Sequence, residues 1–339
     1  MNQSARILFI LKFREGYDGK PSYSGGQYFS SGLYWSAKFV VDMLVDAGID
    51  AKLVQVTDNN DIDREVHNYR PTIVIIEALW VVPAKFDILK KLHPSVKWIV
   101  RLHSNVPFLA QEGNAVEWIK EYTKRDVKIA SNEIRALEDI RTITGKTPIY
   151  LPNYYPLQKE TAKKHGEMRR LHIGCYGAIR PLKNQLIQAV AAIRFADDTD
   201  RTLFFHVNAT RVESGGNPVL ENLRALFTKT RHYLVEDAWM SHEKFLERLR
   251  HLDIGMQVSL SETFSIVAAD MVNVGIPIVV SHEIDWASFI SKVDATNSRK
   301  ITAGLNLAEI LATINVERNR HGLKKANKKS KKDWLEFLK

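Results

Sequence analysis

Short apolar runs built from Val, Ile and Leu recur along the first half of this chain, at RILFIL, AKLVQV, TIVIIE, WIVRLH and VKIAS, each followed by a stretch with helical spacing. Strands this uniformly apolar are buried on both faces, and strands that alternate with helices join as βαβ units. The pattern therefore predicts a parallel sheet covered on both sides. The helical stretches are SGLYWSAKFVVDMLVDAG, closed by Gly48, then IDREVHNY, stopped by Pro71, and NEIRALEDIRTITG, closed by Gly145. A second series repeats the alternation, with LHIGCYGA, RTLFFHV, RHYLVE, LDIGMQVS and IPIVVS as strands and helices near 183–196, 217–228, 241–251 and 264–274.

The polar, basic stretch from Lys159 to Arg170 has no strand pattern and separates the two series. The expected organisation is an N-terminal Rossmann-like domain over 1–155, a linker over 156–169, a second Rossmann-like domain over 170–323, and a basic helix over 324–339. In that helix Trp334, Leu335, Phe337 and Leu338 suit packing back on the first domain. A length of 339 residues leaves room for two hydrophobic cores, and 45% hydrophobic with 26% charged residues belongs to a folded chain rather than a disordered one. No apolar run reaches the roughly 20 residues that span a bilayer, so neither a signal peptide nor a membrane anchor is expected. Cys175 is the only cysteine, which excludes an intrachain disulfide and a thiolate metal cage and suits a reducing cytoplasm.

Charge is unevenly placed. Of the net +9, residues 317–339 carry nine Lys/Arg minus three Asp/Glu, or +6. Lys324, Lys325, Lys328, Lys329, Lys331 and Lys332 can grip the phosphates of nucleic acid or an anionic membrane surface; a solvated helix end is the plainer reading.

Ligands of open parallel sheets bind outside the carboxyl ends of the strands, so two sheets in tandem predict a cleft between domains. The loop from Lys12 to Ser30 is far longer than an ordinary βα connection, and Gly25 and Gly26, with Tyr28 beside them, stand just before a helix where backbone can approach a ligand. It has neither a G-x-G-x-x-G fingerprint nor a P-loop lysine. His103 ends the run WIVRLH, at a strand's carboxyl end.

In LHIGCYGAIRPLKNQ, Arg180 and Lys183 stand at a helix start, where cations oppose the helix dipole unless an anion reconciles them. A diphosphate is such an anion. In LSETFSIVAADMVNVGIPIVVS, Glu262 follows a strand, Thr263, Phe264 and Ser265 open a helix, and Asp270 lies eight residues on, about 12 Å along a helix axis. That length suits a nucleotide sugar, with sugar hydroxyls at the first carboxylate and ribose hydroxyls at the second.

The spacing G-x5-K-N from Gly177 to Asn184, followed by S-E-x-F-x5-D-x4-G-x-P from Ser261 to Pro277, resembles the retaining, nucleotide-sugar-dependent glycosyltransferases of GT-B fold that carry an E-x7-E signature. The resemblance implies two Rossmann-like domains whose parallel sheets face across a cleft. It implies a UDP- or other NDP-sugar as co-substrate, no cofactor and no metal. It assigns Arg180 and Lys183 to the donor diphosphate, Glu262 to the transferred sugar, and Gly177, Asn184 and the backbone of Thr263 to Ser265 to the donor. Asp270 would meet the ribose, and His103, Gly25, Gly26 and Tyr28 would lie on the acceptor side. The sequence departs from the family pattern where Asp270 replaces a Glu, where Ala178 stands in place of a frequent Arg, and where Ser104 follows His103 in place of a frequent Asp.

The run DNNDIDREVHNYRPTIVIIEALWVVPAKFDILKKLHPSVKWIVRLHS further resembles glycosyltransferases of tailed bacteriophages, which often decorate hydroxymethylated bases of phage DNA in the host cytoplasm. The favoured acceptor is therefore a hydroxymethylated pyrimidine in DNA. A surface polysaccharide or lipid-linked glycan, and a non-catalytic sugar- or nucleic-acid-binding protein of the same fold, are the alternatives. Asp61-Ile62-Asp63 has the form of a D-x-D metal site but starts a helix, where acidic residues suit the dipole.

Overall fold

A computed structural model describes residues 5–13, 32–158 and 169–339. The described residues form two compact units, one of 5–13, 32–156 and 326–339, the other of 157–158 and 169–325.

The first unit runs β1 (Arg6–Lys12), α1 (Gly32–Asp46), β2 (Asp50–Val56), α2 (Asp61–Tyr69), β3 (Ile73–Glu77), α3 (Lys85–Leu92), β4 (Lys97–Leu102), α4 (Val106–Leu109), α5 (Ala115–Lys124), β5 (Lys128–Ser131), α6 (Ala136–Thr144) and β6 (Ile149–Tyr150). Its sheet has the order β2-β1-β3-β4-β5-β6, and every pairing is parallel. The apolar runs supply both faces by alternation. Leu8, Ile10, Val74, Ile76 and Val100 pack against Phe86, Ile119 and Tyr122 on one side. Ile7, Phe9, Ile75 and Ile99 pack against Val40, Leu44 and Trp334 on the other. Each such side chain contributes about 1.5–3 kcal/mol by leaving water.

The second unit runs β7 (Arg170–Gly174), a 3₁₀ turn (Pro181–Lys183), α7 (Gln185–Asp198), β8 (Thr202–Asn208), α8 (Gly216–Phe227), β9 (Tyr233–Asp237), α9 (His242–Leu249), β10 (Ile254–Gln257), α10 (Ile266–Asn273), β11 (Ile278–Ser281), β12 (Lys292–Val293), α11 (Ser298–Ile310) and the first half of α12 (Ala312–Phe337), whose second half belongs to the first unit. Its sheet order is β12-β11-β10-β7-β8-β9, again parallel throughout. Ile173, Phe205, Val207 and Met256 meet Phe195, Leu223 and Ile301 in its core.

Gly48 and Gly145 follow α1 and α6, and the strand series are those the apolar runs predict. The edge strands β6 and β12 are two residues each, too short to leave a periodic signal. The amphipathic α5, whose Ala115, Ile119 and Tyr122 share a buried face, lies in a stretch that the sequence reading left unassigned, as does α11. The basic segment is not a separate helix over 324–339. It is the second half of a continuous 26-residue helix, α12. Gly322 does not break that helix; its lack of a side chain lets the backbone pass Trp286, whose carbonyl oxygen would lie 2.2 Å from an added Cβ. Residues 159–168 of the expected linker lie outside the described residues.

Candidate functional site

The order of the second sheet places β7 and β10 side by side, so the loops that follow them are neighbours. Gly177 turns the first loop at φ +114, a conformation closed to ordinary L-residues, and its N–H donates to Asn208 Oδ1 at 3.0 Å. The loop then passes through the extended Arg180 into the turn that ends on Lys183. A backbone bond joins the two loops, from Leu260 N–H to the Leu182 carbonyl at 2.9 Å, and the Gln188 side chain on α7 accepts from Val258 N–H at 2.9 Å.

As a result the Lys183 ammonium donates to Glu262 Oε2, and the Thr263 N–H donates to Glu262 Oε1 at 3.1 Å. Burial alone would raise the Glu262 carboxyl, but Lys183, Arg180 and the Thr263 N–H outweigh it and hold the group below its ordinary value. Arg180 is 3.7 Å from Glu213, which also takes Arg211 at 2.8 Å; the Arg211 guanidinium lies over the Trp239 ring at 4.5 Å. Two cations that looked mismatched to a helix start are thus balanced by carboxylates of the chain. Arg180 and Lys183 also do not begin an α-helix, because Asn184, at φ 59, separates the 3₁₀ turn from α7.

Asn184 was expected among the donor contacts. Its side-chain amide instead donates to the carbonyls of Val258 at 3.1 Å and Ala295 at 2.8 Å, so it holds the loops. Thr263 to Ser265 precede α10 rather than open it. Ser265 is the N-cap, at φ 59, and its hydroxyl accepts from Ala268 N–H at 3.3 Å while donating to Gln257 Oε1 at 3.2 Å. Phe264 is buried, with its carbonyl accepting from the Trp286 indole at 2.7 Å. Asp270, expected at the ribose end of the donor, is a buried residue of α10. It is 2% exposed, and its Oδ1 pairs with His242 Nε2 at 2.7 Å. Cys175 is buried, which pushes its thiol up to about 12 and leaves it a poor nucleophile.

In the first unit His103 directly follows β4, as WIVRLH predicts, and belongs to a polar network inside the fold. Its Nε2 meets Glu77 Oε2, and its Nδ1 lies 3.3 Å from Asn132 Nδ2. The Asn132 amide is a donor, so Nδ1 accepts and Nε2 carries the proton to Glu77. Burial pushes His103 below its ordinary value despite the nearby carboxylate, which agrees with a neutral ring. Arg101, fully buried, donates to Glu77 at 3.1 and 3.2 Å, to the Leu151 carbonyl at 2.8 Å and to Asn153 Oδ1 at 2.5 Å. Burial alone would raise Glu77 as well, and Arg101 and His103 together hold it low.

Glu77, Arg101 and Asn153 escaped the sequence reading, as did Glu213, Arg211 and His242. A signal existed for the first two: a Glu ending TIVIIE and an Arg inside WIVRLH are charges in runs otherwise built for burial, and buried charges require partners. Gly25, Gly26 and Tyr28 lie outside the described residues. Asp61, of the D-x-D, accepts from the N–H groups of Thr57 and Asp58 at the start of α2, and Asp63 pairs with His93.

No protein-family model matches this chain, and no curated protein matches it in sequence. Solved structures do. The apo structure of OtsA superposes with a TM-score of 0.71 at 9% identity over 99% of either chain. The α,α-trehalose-phosphate synthase (UDP-forming) from Burkholderia vietnamiensis gives 0.65 at 11% over 100% of this chain and 97% of its own. A point mutant of S. aureus TarM, in complex with fondaparinux, α-GlcNAc-glycerol and UDP, gives 0.58 at 13% over 78% of this chain and 55% of its own. At such identities the likeness is one of fold: two α/β units with parallel six-stranded sheets, of GT-B type.

Proposed function

We propose that this chain is a nucleotide-sugar-dependent glycosyltransferase that moves a sugar to an acceptor hydroxyl with retention of anomeric configuration, and that the acceptor is a hydroxymethylated pyrimidine in DNA. The observation that carries the reading is the Lys183–Glu262 pair with Arg180 beside it, on adjacent loops at the carboxyl ends of β7 and β10. This is where an open parallel sheet takes its ligand. The GT-B neighbours support it, one being a UDP-forming synthase and one holding UDP.

In this reading the donor is held by the second unit. The donor diphosphate takes the cations Arg180 and Lys183, while the ionised Glu262 accepts from hydroxyls of the transferred sugar. The bond from the anomeric carbon to the diphosphate breaks as the acceptor oxygen approaches the same face. The acceptor proton passes to the departing phosphate oxygen. Charge grows on that leaving group, and a preplaced donor to developing charge is worth about 2.7–4 kcal/mol. The neutral His103 is assigned to the acceptor side, and the buried Asp270 to the donor ribose.

The hydroxymethylpyrimidine acceptor draws support from the basic balance of the chain and from its resemblance to phage enzymes. The test is to supply UDP-sugars with DNA containing hydroxymethylated pyrimidines, and to follow UDP release and the anomeric configuration of the product by NMR. A retained anomer on the base confirms the reading. Transfer only to a glycan would remove the DNA acceptor, an inverted anomer would remove retention, and failure to bind or consume any nucleotide sugar would remove the enzyme.

A further inference from the structure

The second half of α12 has two unlike faces within the first unit. On one, Trp334 is fully buried, 5.7 Å from the Phe9 ring, and its indole N–H donates to the Pro152 carbonyl at 2.8 Å; Phe337 and Leu338 pack against the same core. On the other, Lys328, Lys331 and Lys332 are exposed at the i, i+3 and i+4 positions of one helix face. They line a shallow depression of about 560 Å³ together with Tyr154, Asn327 and Glu336. Lys332 lies 3.6 Å from Glu336, whereas among the described residues Lys328 and Lys331 have no carboxylate within 4.0 Å. Like charges held this close on one helix are mutually unfavourable until an anion joins them.

Two features decide what kind of anion fits. A helix that lies on a membrane needs an apolar face free to enter the acyl boundary, and here Trp334, Phe337 and Leu338 are committed to the protein core. The lysines also line a concavity, which a flat bilayer cannot enter but a ridge of phosphates can. Duplex DNA presents one charge per roughly 3.4 Å of axis on each strand, dense enough for lysines one helical turn apart to meet successive phosphates.

We propose that this depression docks the sugar–phosphate backbone of duplex DNA, through Lys328, Lys331 and Lys332 and independently of sequence. The inference rests on the DNA-acceptor reading above, to which it adds the surface that holds the polymer.

The test uses the full chain, a labelled duplex of about 20 base pairs without modified bases, and fluorescence anisotropy between roughly 50 and 200 mM salt. The triple variant Lys328→Gln, Lys331→Gln, Lys332→Gln should give a log–log salt slope shallower by about 2.7, at about 0.9 for each phosphate no longer neutralised. The charge-reversed triple Glu variant should lose more affinity still. Circular dichroism checks that α12 persists, and the Gln variant keeps the test valid should the Glu variant unfold. An unchanged slope in the Gln variant overturns the docking site. So does an equal loss of binding to phosphatidylcholine vesicles containing about a third phosphatidylglycerol, since the surface would then be a general polyanion contact. Duplex affinity that falls in a chain unable to modify DNA keeps the docking site and removes the acceptor reading. Normal DNA modification with an unchanged slope does the reverse.

Discussion

Lys183 and Glu262 stand 79 residues apart in the chain and share one ion pair, with side chains only 13% and 11% exposed. Burial alone would raise the Glu262 carboxyl, and Lys183, with Arg180 adding a second positive charge to its surroundings, holds it below its ordinary value instead. An anionic ligand that engages Lys183 therefore competes with Glu262, which ties the binding of such an anion to the freedom of that carboxylate.

Lys183→Ala is expected to lower turnover roughly 100- to 1,000-fold. It should also cost about 3 kcal/mol of stability, because Glu262 is left buried without its cation. Adding Glu262→Ala should return part of that loss, since the two sites are in contact and their effects are not additive. Urea unfolding of the two single variants and the double variant measures the coupling. Strict additivity would show that the pair does not act as a unit.

Glu262→Gln and Asp270→Asn should differ in kind. The first is expected to cut kcat, as it removes the charge nearest the cations. The second should raise the donor KM and lower the melting temperature, because Asp270 is buried against His242 and shapes α10. Steady-state kinetics on both variants decide the matter. A matching fall in kcat for both, with KM unchanged, would contradict separate roles along the site.

Stability should fall on acidification. Both His103 and Glu77 have folded-state values below their ordinary 6.5 and 4.5. A depressed group binds protons more weakly when folded, so its contribution is complete above the ordinary value and is lost as pH falls beneath it. The decline should begin below about pH 6.5 with His103 and continue below about 4.5 with Glu77. Glu77→Gln should cost about 3–5 kcal/mol at neutral pH by stranding Arg101, and should flatten the lower part of the profile. Denaturant unfolding at several pH values is the measurement. Rising stability between pH 7 and 5 would refute the sign.

Gly322→Ala sets two effects against each other. Alanine is favoured in a helix interior by about 1 kcal/mol, but its Cβ would lie 2.2 Å from the Trp286 carbonyl oxygen. Backbone cannot yield cheaply there, so a net loss of about 1–3 kcal/mol is expected from overpacking. A stabilised variant in urea unfolding would mean that α12 shifts freely at this point.

Parallel strands were legible because a run such as TIVIIE, apolar at successive positions, has only one stable use in a chain of this composition: burial on both faces of a sheet. The alternation with helices then carried the parallel βαβ connections of each unit, though not the strand order, and Gly177, Lys183 and Glu262 stood out because their residue types are poorly explained by local structure. Asp270 and Asn184 were harder. From spacing alone the carboxylate and the amide both look free to bind a ligand, yet His242 pairs with one and two backbone carbonyls hold the other. Glu77 and Arg101 stand out as charges in apolar strands, but nothing local in either run says that the other is its partner.

The sequence by itself determined the alternating elements, the two parallel sheets and the cationic second half of α12, since these follow from hydrophobic period and composition within windows of a few turns. Only the tertiary structure decided which charges meet. Lys183 reaches Glu262 because β7 and β10 are neighbours in the sheet order, Arg180 shares Glu213 with Arg211, and Arg101 finds Glu77 across the β3–β4 pairing. Apart from Arg211 and Glu213, which are two residues apart, those partners lie more than twenty residues from each other in the chain. Electrostatic and hydrogen-bonding energies fall off over a few ångströms, so they are set by strand order and register and leave no periodic trace in the chain.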